Sequence, residues 1–396
     1  MHQTDFHYTQ KELPAGLKKF GSIIFILGLI LALVAFYVDK ERAIFNYLIL
    51  YSMLISIGLG SLFLIALEYV AGADWSVPFR RIPEFLSGIL PLLFVLVIPL
   101  LIFNHDLFHW THKEAVEKDV ILKGKEPYLN ITFFIVRAFA FIAVWVIFYL
   151  ILAKNSSKQD ATKDQNLTRK NIKFSAIFIP IFAITITFTS IDWLMSLEPH
   201  WFSTIFGVYY FAGTVIASLA AVTLIVVFLK EKGYYQPWIT DDHLYSFGAL
   251  LFAFVNFWAY IAFSQYLLIW YANLPEETFW FLTRWEGSWS IVSILLIIVH
   301  FIVPYAVLLS QPAKMNPKKL KFISIWLLFA HLLDIYWLVM PNMTAMKSGY
   351  HFSWIDFVFP FLGIGFVMLV LSFFGKNKNL LPIGDPKLKR GLNFHL

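Results

Sequence analysis

Ten stretches of roughly twenty apolar residues set the terms on which this chain can fold. A helix rises about 1.5 Å per residue, so about 20 apolar residues cross the roughly 30 Å of bilayer hydrocarbon. Runs of that length cover residues 20–38, 44–70, 83–104, 129–153, 172–195, 204–229, 243–272, 288–310, 319–341 and 354–374. Backbone groups inside the bilayer find no water, so each run must be helical. The fold class predicted is an all-α polytopic membrane protein with about ten transmembrane helices, here spans 1 to 10. Composition agrees: 59 % of residues are hydrophobic and 14 % charged, where soluble domains run near 45–50 % and about 25 %. No small-residue cleavage site follows the first run, so span 1 is read as retained rather than as a signal peptide. That divides the chain into a polar leader (1–19), a transmembrane domain (20–374) and a C-terminal arm (375–396). The arm is rich in Pro, Gly and Lys and is expected to extend, suited to lie on a partner.

Ten crossings put both termini on one side. Twenty-two of the 31 Lys and Arg residues fall on that side, eight on the other, and Arg137 lies inside a span. The excess predicts that both termini are cytoplasmic. The net charge of +6 therefore reports topology, and it gives no reason to expect a nucleic acid partner. The segment 154–173 is polar and unpatterned, and is predicted to be a mobile loop between spans 4 and 5.

Against this background the titratable groups stand out. Asp192, Glu198 and His200 gather at the turn between spans 5 and 6. One reading is a solvated interfacial turn, with Pro199 ending a helix and Trp193 and Trp201 anchored at the headgroups; the other is proton handling. Glu68 lies near the terminal-side end of span 2, and Arg137 lies about 12 Å into span 4 at 1.5 Å per residue. A mid-span charge costs about 2.5–3.5 kcal/mol, which favours an internal ion pair of Arg137 with Asp192. Snorkelling to the interface is the alternative for Glu68 and Asp192. Asn256, Tyr260 and Ser264 in span 7 recur at i, i+4 and i+8, with Gln265 beside them. That row is expected to face a bundle interior, as glue between helices or as a lining for water.

His300 and His331 fall about halfway along spans 8 and 9. Asp334 is three residues after His331, and Pro304, four after His300, is expected to kink span 8 there. Three readings compete: a hydrogen-bonded packing cluster, part of a proton path, or two axial ligands for a haem; the proton path is preferred. Pro91, Pro99 and Pro180 mark further kinks. His105, His109 and His112 would share one face of a helix, which suits either a metal or an amphipathic surface helix; the second is preferred and no metal site is predicted. The segments Thr283–Glu286 and Tyr350–Trp354, rich in aromatics, suit docking. The chain has no cysteine, so it can neither ligate an iron–sulfur cluster through thiolates nor attach a c-type haem.

Three blocks in order, the corner Asp192–Gly213, the span 7 segment Phe252–Asn273 and the span 9 segment His331–Pro341, resemble the ActF-type membrane subunits of bacterial alternative complex III. These in turn resemble the NrfD/polysulfide reductase membrane subunit family, and the likeness runs over nearly the whole chain. The resemblance implies two four-helix bundles, spans 2–5 (about 44–195) and spans 6–9 (about 204–341), with spans 1 and 10 at the periphery. It implies a quinol:electron-acceptor oxidoreductase complex of the bacterial inner membrane, in which this chain binds no redox cofactor. Haem c and iron–sulfur clusters would sit in partner subunits. Those partners would be an ActC-like quinol subunit, an iron–sulfur subunit, haem c subunits and small membrane subunits, with a terminal oxidase as a further candidate. This chain would conduct protons and support assembly, along polar groups running from Glu68 past Asn256, Ser264, Gln265, His300, His331 and Asp334 to Asp192, Glu198 and His200. The alternatives are a quinol-binding anchor using Asp192, Glu198 and His200, a haem b protein, and an independent transporter.

Overall fold

The computed structural model describes residues 13–235, 238–346 and 349–396. Most of the leader, with Lys11, lies outside the described residues. Ten helices long and apolar enough to cross a membrane are present: Gly16–Val38, Lys40–Ala71, Val77–Ile102, Ile131–Thr162, Gln165–Leu197, Phe206–Glu231, Asp241–Ala272, Trp289–Leu308, Pro317–Asn342 and Ile355–Phe374. Each overlaps one predicted run, and no strand occurs among the described residues.

Burial sorts these helices into shells. Span 2 is buried over 89 % of its apolar stretch and span 6 over 83 %, against 22 % for span 1. Spans 2 and 6 pack on each other at the centre. Around span 2, spans 3, 4 and 5 close a ring of four; around span 6, spans 7, 8 and 9 close another. Span 5 touches span 6 and span 9 touches span 2, so the two four-helix bundles share a broad joint. Spans 1 and 10 pair with each other and lean on span 2 from outside. Arg42 of span 2 reaches Asp356 of span 10 with Nη2 at 2.5 Å and Nε at 2.9 Å, and Asn46 adds a 3.0 Å bond to the same carboxylate.

Proline shapes two spans. Span 3 is a series of short helical turns, Val77–Phe79, Arg81–Leu86, Ser87–Leu92, Leu93–Leu96 and Ile98–Ile102, with Pro78, Pro83, Pro91 and Pro99 removing donors along it. Span 8 is α-helical over Trp289–Ile297, widens into a π turn at Ile298–Ile302 and resumes at Val303–Leu308. The wide turn ends beside Pro304 and holds His300. Pro180 sits inside an unbroken helix.

Four expectations need correction. The segment 154–173 is no loop: span 4 runs on to Thr162 and span 5 begins at Gln165, turning only at Lys163 (φ 53°) and Asp164. Its polar residues bind one another, Gln159 Nε2 to Thr168 Oγ1 at 2.7 Å and Asn155 Nδ2 to Asn171 Oδ1 at 2.8 Å, which removes the need for water. The C-terminal arm does not extend but folds back on its own chain. Asp385 accepts from Arg80 Nη1 at 2.6 Å, Lys387 Nζ donates to the Gly72 carbonyl at 2.7 Å, and the His243 ring bonds the Gly391 carbonyl at 2.8 Å, with Leu381 and Leu392 buried. The row Asn256, Tyr260, Ser264 faces outward, because Leu251, Val255, Trp258 and Ile261 take the inner side of span 7 and leave Tyr260 66 % exposed. Arg284 is no docking residue: it is buried, stacked on Trp280 at 3.5 Å, and donates to the carbonyls of Trp337 and Leu338 at 3.2 and 3.0 Å. Those carbonyls end span 9, where helical partners run out. Burial without a carboxylate partner draws Arg284 down to about 9, still cationic at neutral pH.

The joint depends on Gly60. A Cβ there would meet Ser218 Oγ at 2.5 Å and the Thr214 carbonyl at 2.8 Å. Gly60→Val is expected to destabilise the protein by about 1–3 kcal/mol, read as a lower thermal midpoint and less monodisperse protein in detergent. An unchanged midpoint would mean that spans 2 and 6 do not meet there.

Candidate functional site

Each span of the second bundle contributes one wall of a buried polar centre. Tyr209 comes from span 6, Trp258 from span 7, His300 from the wide turn of span 8, and His331 and Asp334 from one face of span 9. All five are at most 4 % exposed and both imidazoles at most 1 %. Asp334 Oδ2 lies 4.0 Å from His300 Nε2, 3.9 Å from His331 Nδ1 and 3.1 Å from the Trp258 Nε1 that donates to it. Oδ1 accepts from the Tyr209 hydroxyl. No Lys or Arg pairs with this carboxylate among the described residues. The Trp258 ring stacks on His300 at 3.7 Å and 17°.

A hydrogen-bond cluster from the first bundle meets His331. The Tyr210 hydroxyl donates to the Ser52 carbonyl at 2.8 Å and lies 3.3 Å from Ser56 Oγ. Ser56 Oγ also meets Thr214 Oγ1 at 3.2 Å and His331 Nε2 at 3.0 Å. The other ring nitrogen of His331, Nδ1, faces Asp334. Neither ring nitrogen of His300, nor Nδ1 of His331, has a hydrogen-bond partner among the described residues. An unpaired buried polar atom costs about 1–3 kcal/mol, and this centre holds three of them. Gly213 makes the room: a Cβ there would lie 2.6 Å from the His331 ring.

The donor atoms of His300, His331 and Asp334 all lie within 4.8 Å of one another, which is a set able to hold a metal ion. Ligands sharing a zinc-sized ion at about 2.0–2.1 Å stand about 3.3 Å apart. The observed 3.9 and 4.0 Å are wider than that.

The remaining residues picked from the sequence lie elsewhere. Arg137 grips Asp192 with Nε and Nη2, both at 2.9 Å, and the Tyr128 hydroxyl adds 2.8 Å, so both oxygens are engaged. Burial, and then the Asp192 charge, push the Tyr128 hydroxyl up. At the same end His200 bonds Asp119 at 2.6 Å and lies 3.4 Å from Glu198. The His200 bond, followed by the Leu122 backbone N–H, holds Asp119 below its ordinary value. Glu68, at the opposite end, takes Arg80, which also binds Asp385 and the Tyr69 hydroxyl. Gln265 is buried and accepts from Ser203 Oγ at 3.4 Å, while Asn256 bonds its own helix at Phe252 and Ser264 is half-buried. His105 and His112 belong to separate short turns, not one helical face, and the His112 ring bonds the His105 carbonyl at 2.9 Å. Sequence reading missed Tyr209, Trp258, Ser56, Tyr210 and the Arg42–Asp356 pair. Tyr209 and Tyr210 lie inside the Asp192–Gly213 block and Trp258 inside the Phe252–Asn273 block, but none of them carries a charge that would single it out.

No family model matches the chain, and no curated protein matches it.

Arg137→Leu strands Asp192 among apolar neighbours and is expected to cost about 3–5 kcal/mol, whereas Arg137→Leu with Asp192→Leu recovers most of that loss. Thermal midpoints of the three proteins in one detergent check the ordering; equal loss in the single and double variants would deny the pairing.

Proposed function

We propose that this chain is an integral membrane subunit of a respiratory quinol:electron-acceptor oxidoreductase of the alternative complex III type, and that it passes protons through its second bundle. The observation that carries the proton role is the buried centre of His300, His331 and Asp334, with three unpaired ring nitrogens. Such atoms are where buried water binds, and imidazole and carboxyl groups joined by water exchange protons. Tyr209, in the first turn of span 6, links Asp334 towards the end away from the termini. Ser324, seven residues before His331 on the same face of span 9, continues the row about 10 Å towards the terminal end. Its hydroxyl and that of Ser61 are buried without a hydrogen-bond partner.

The residue blocks that resemble the ActF-type subunits support the assignment to such a complex. The absence of cysteine supports placing iron–sulfur and c-type haem centres in companion subunits, with electrons bypassing this chain. The concentration of Lys and Arg at the terminal end supports a cytoplasmic location for both termini in a bacterial inner membrane. Asp192, with both oxygens held by Arg137 and Tyr128, serves on this reading as a brace between spans 4 and 5 rather than as an acceptor for quinol. Glu68, bound to Arg80, is likewise a lock on the terminal end.

Asp334→Asn and His331→Leu are expected to leave assembly intact and to lower the protons moved per electron at least tenfold in reconstituted complex. Purification from native membranes should bring down multihaem and iron–sulfur subunits. An unchanged proton-to-electron ratio in the intact variants refutes the proton role; a chain that purifies alone refutes membership in the complex.

A further inference from the structure

Span 7 carries a polar row on its outer side. Ala253, Asn256, Tyr260 and Ser264 follow one another along it, with Ala253 and Tyr260 exposed and Asn256 and Ser264 half-buried. Depth makes this row conspicuous. Trp270 and Tyr271, 62 % and 83 % exposed, close the span where an interfacial aromatic belt is expected. Tyr260 lies ten residues earlier, about 15 Å deeper at 1.5 Å per residue, close to the mid-plane of a core about 30 Å thick. A long side chain on a helix leans towards the N-terminus of that helix. For Tyr260 that direction leads away from the nearer interface, so its hydroxyl does not snorkel out. Asn256 places one amide proton on the Phe252 carbonyl at 2.7 Å, leaving its other proton and its oxygen unassigned. Hydrocarbon offers such groups nothing. By contrast, the exposed positions of neighbouring span 8 between Ile291 and Ile302, among them Ile294 and Ile298, are aliphatic, as a lipid-facing surface should be.

We infer that this face of span 7 is covered by a transmembrane helix of a different polypeptide. That helix carries a small residue opposite Tyr260 and a hydroxyl or carboxamide side chain level with it. Interhelical bonds of this kind are the usual use of polar groups in membranes, and Ala253 allows close approach one turn from Asn256 and two from Tyr260. A second copy of this chain fits less well. A two-fold axis would set one Tyr260 ring against the other and hold the helices too far apart for the short Asn256 side chains to meet. The inference rests on the multi-subunit reading above.

Tyr260 replaced by the photo-crosslinker p-benzoylphenylalanine tests it, in the full chain in native membranes, with the same replacement at Ile291 for comparison. Irradiation at 260 should give a discrete adduct whose linked peptide maps inside a transmembrane segment of another polypeptide bearing Ser, Thr, Asn or Gln at that depth; position 291 should give none. Tyr260→Phe combined with Asn256→Leu should lower recovery of that companion about fivefold without altering the elution of this chain. Lipid adducts alone, an adduct of two copies, or undiminished recovery would each overturn the inference. Redox subunits still co-purifying in those cases would leave the multi-subunit reading standing. A mapped helix adduct from a preparation without redox subunits would do the reverse.

Discussion

Charge taken out of water must find a partner, and the described part of this molecule is arranged around that requirement. Arg42 meets Asp356, Arg80 meets Glu68 and Asp385, Arg81 meets Glu84 and Asp160, and Arg137 meets Asp192. All but the Arg81–Glu84 contact, which lies within one short helix, join separate segments. The first clasps span 10 to span 2, the second holds the tail against spans 2 and 3, the third draws spans 3 and 4 together, and the last ties span 4 to span 5. Breaking such a pair leaves a bare charge, which is why they specify geometry more than they add stability. Two groups depart from the pattern: Arg284 meets backbone carbonyls rather than a carboxylate, and Asp334 has hydroxyl and indole donors and two imidazoles nearby, but no Arg or Lys.

That difference separates the two bundles chemically. The first is locked by ion pairs at both ends, with Glu68 and Arg80 at one and Asp192 and Arg137 at the other. The second is closed at one end by Arg284 on helix-end carbonyls and keeps its titratable groups at mid-depth. On the proposed function, this centre of two imidazoles and a carboxyl group without a cationic partner, reached through hydroxyls, is where protons come and go. Ion-paired groups are built to stay charged. The joint at Gly60 brings Ser56 of the first bundle up to His331 of the second, so the orientation of the second bundle's imidazole is set from the first.

The ten spans were legible because hydropathy is a property of length and composition, which neighbours do not alter. The pairing of Asp192 with Arg137, as the structure places them, had a sequence argument behind it: adjacent spans, and a charge too deep to leave alone. Arg42 with Asp356 had none, since more than three hundred residues separate them and each sits at a span end where snorkelling would serve. The 154–173 segment misled because polar composition signals a loop only when the polar groups need water; here Asn155, Gln159, Thr168 and Asn171 serve one another. The row at Asn256, Tyr260 and Ser264 misled for a related reason: periodicity identifies a face but not which way it points. The second-bundle centre was half visible. His300, His331 and Asp334 stood out by charge in an apolar context, while Trp258 and Tyr209, ordinary aromatics among many, acquire meaning only from what they touch.

The account turns on whether the second-bundle centre is wet. A density map of the purified protein at a resolution that reveals ordered water would answer directly. Water bonded to the His331 Nδ1 and a His300 ring nitrogen, beside Asp334, is the result expected. A dry centre, with the imidazoles closed onto the carboxylate or turned into apolar packing, would contradict it.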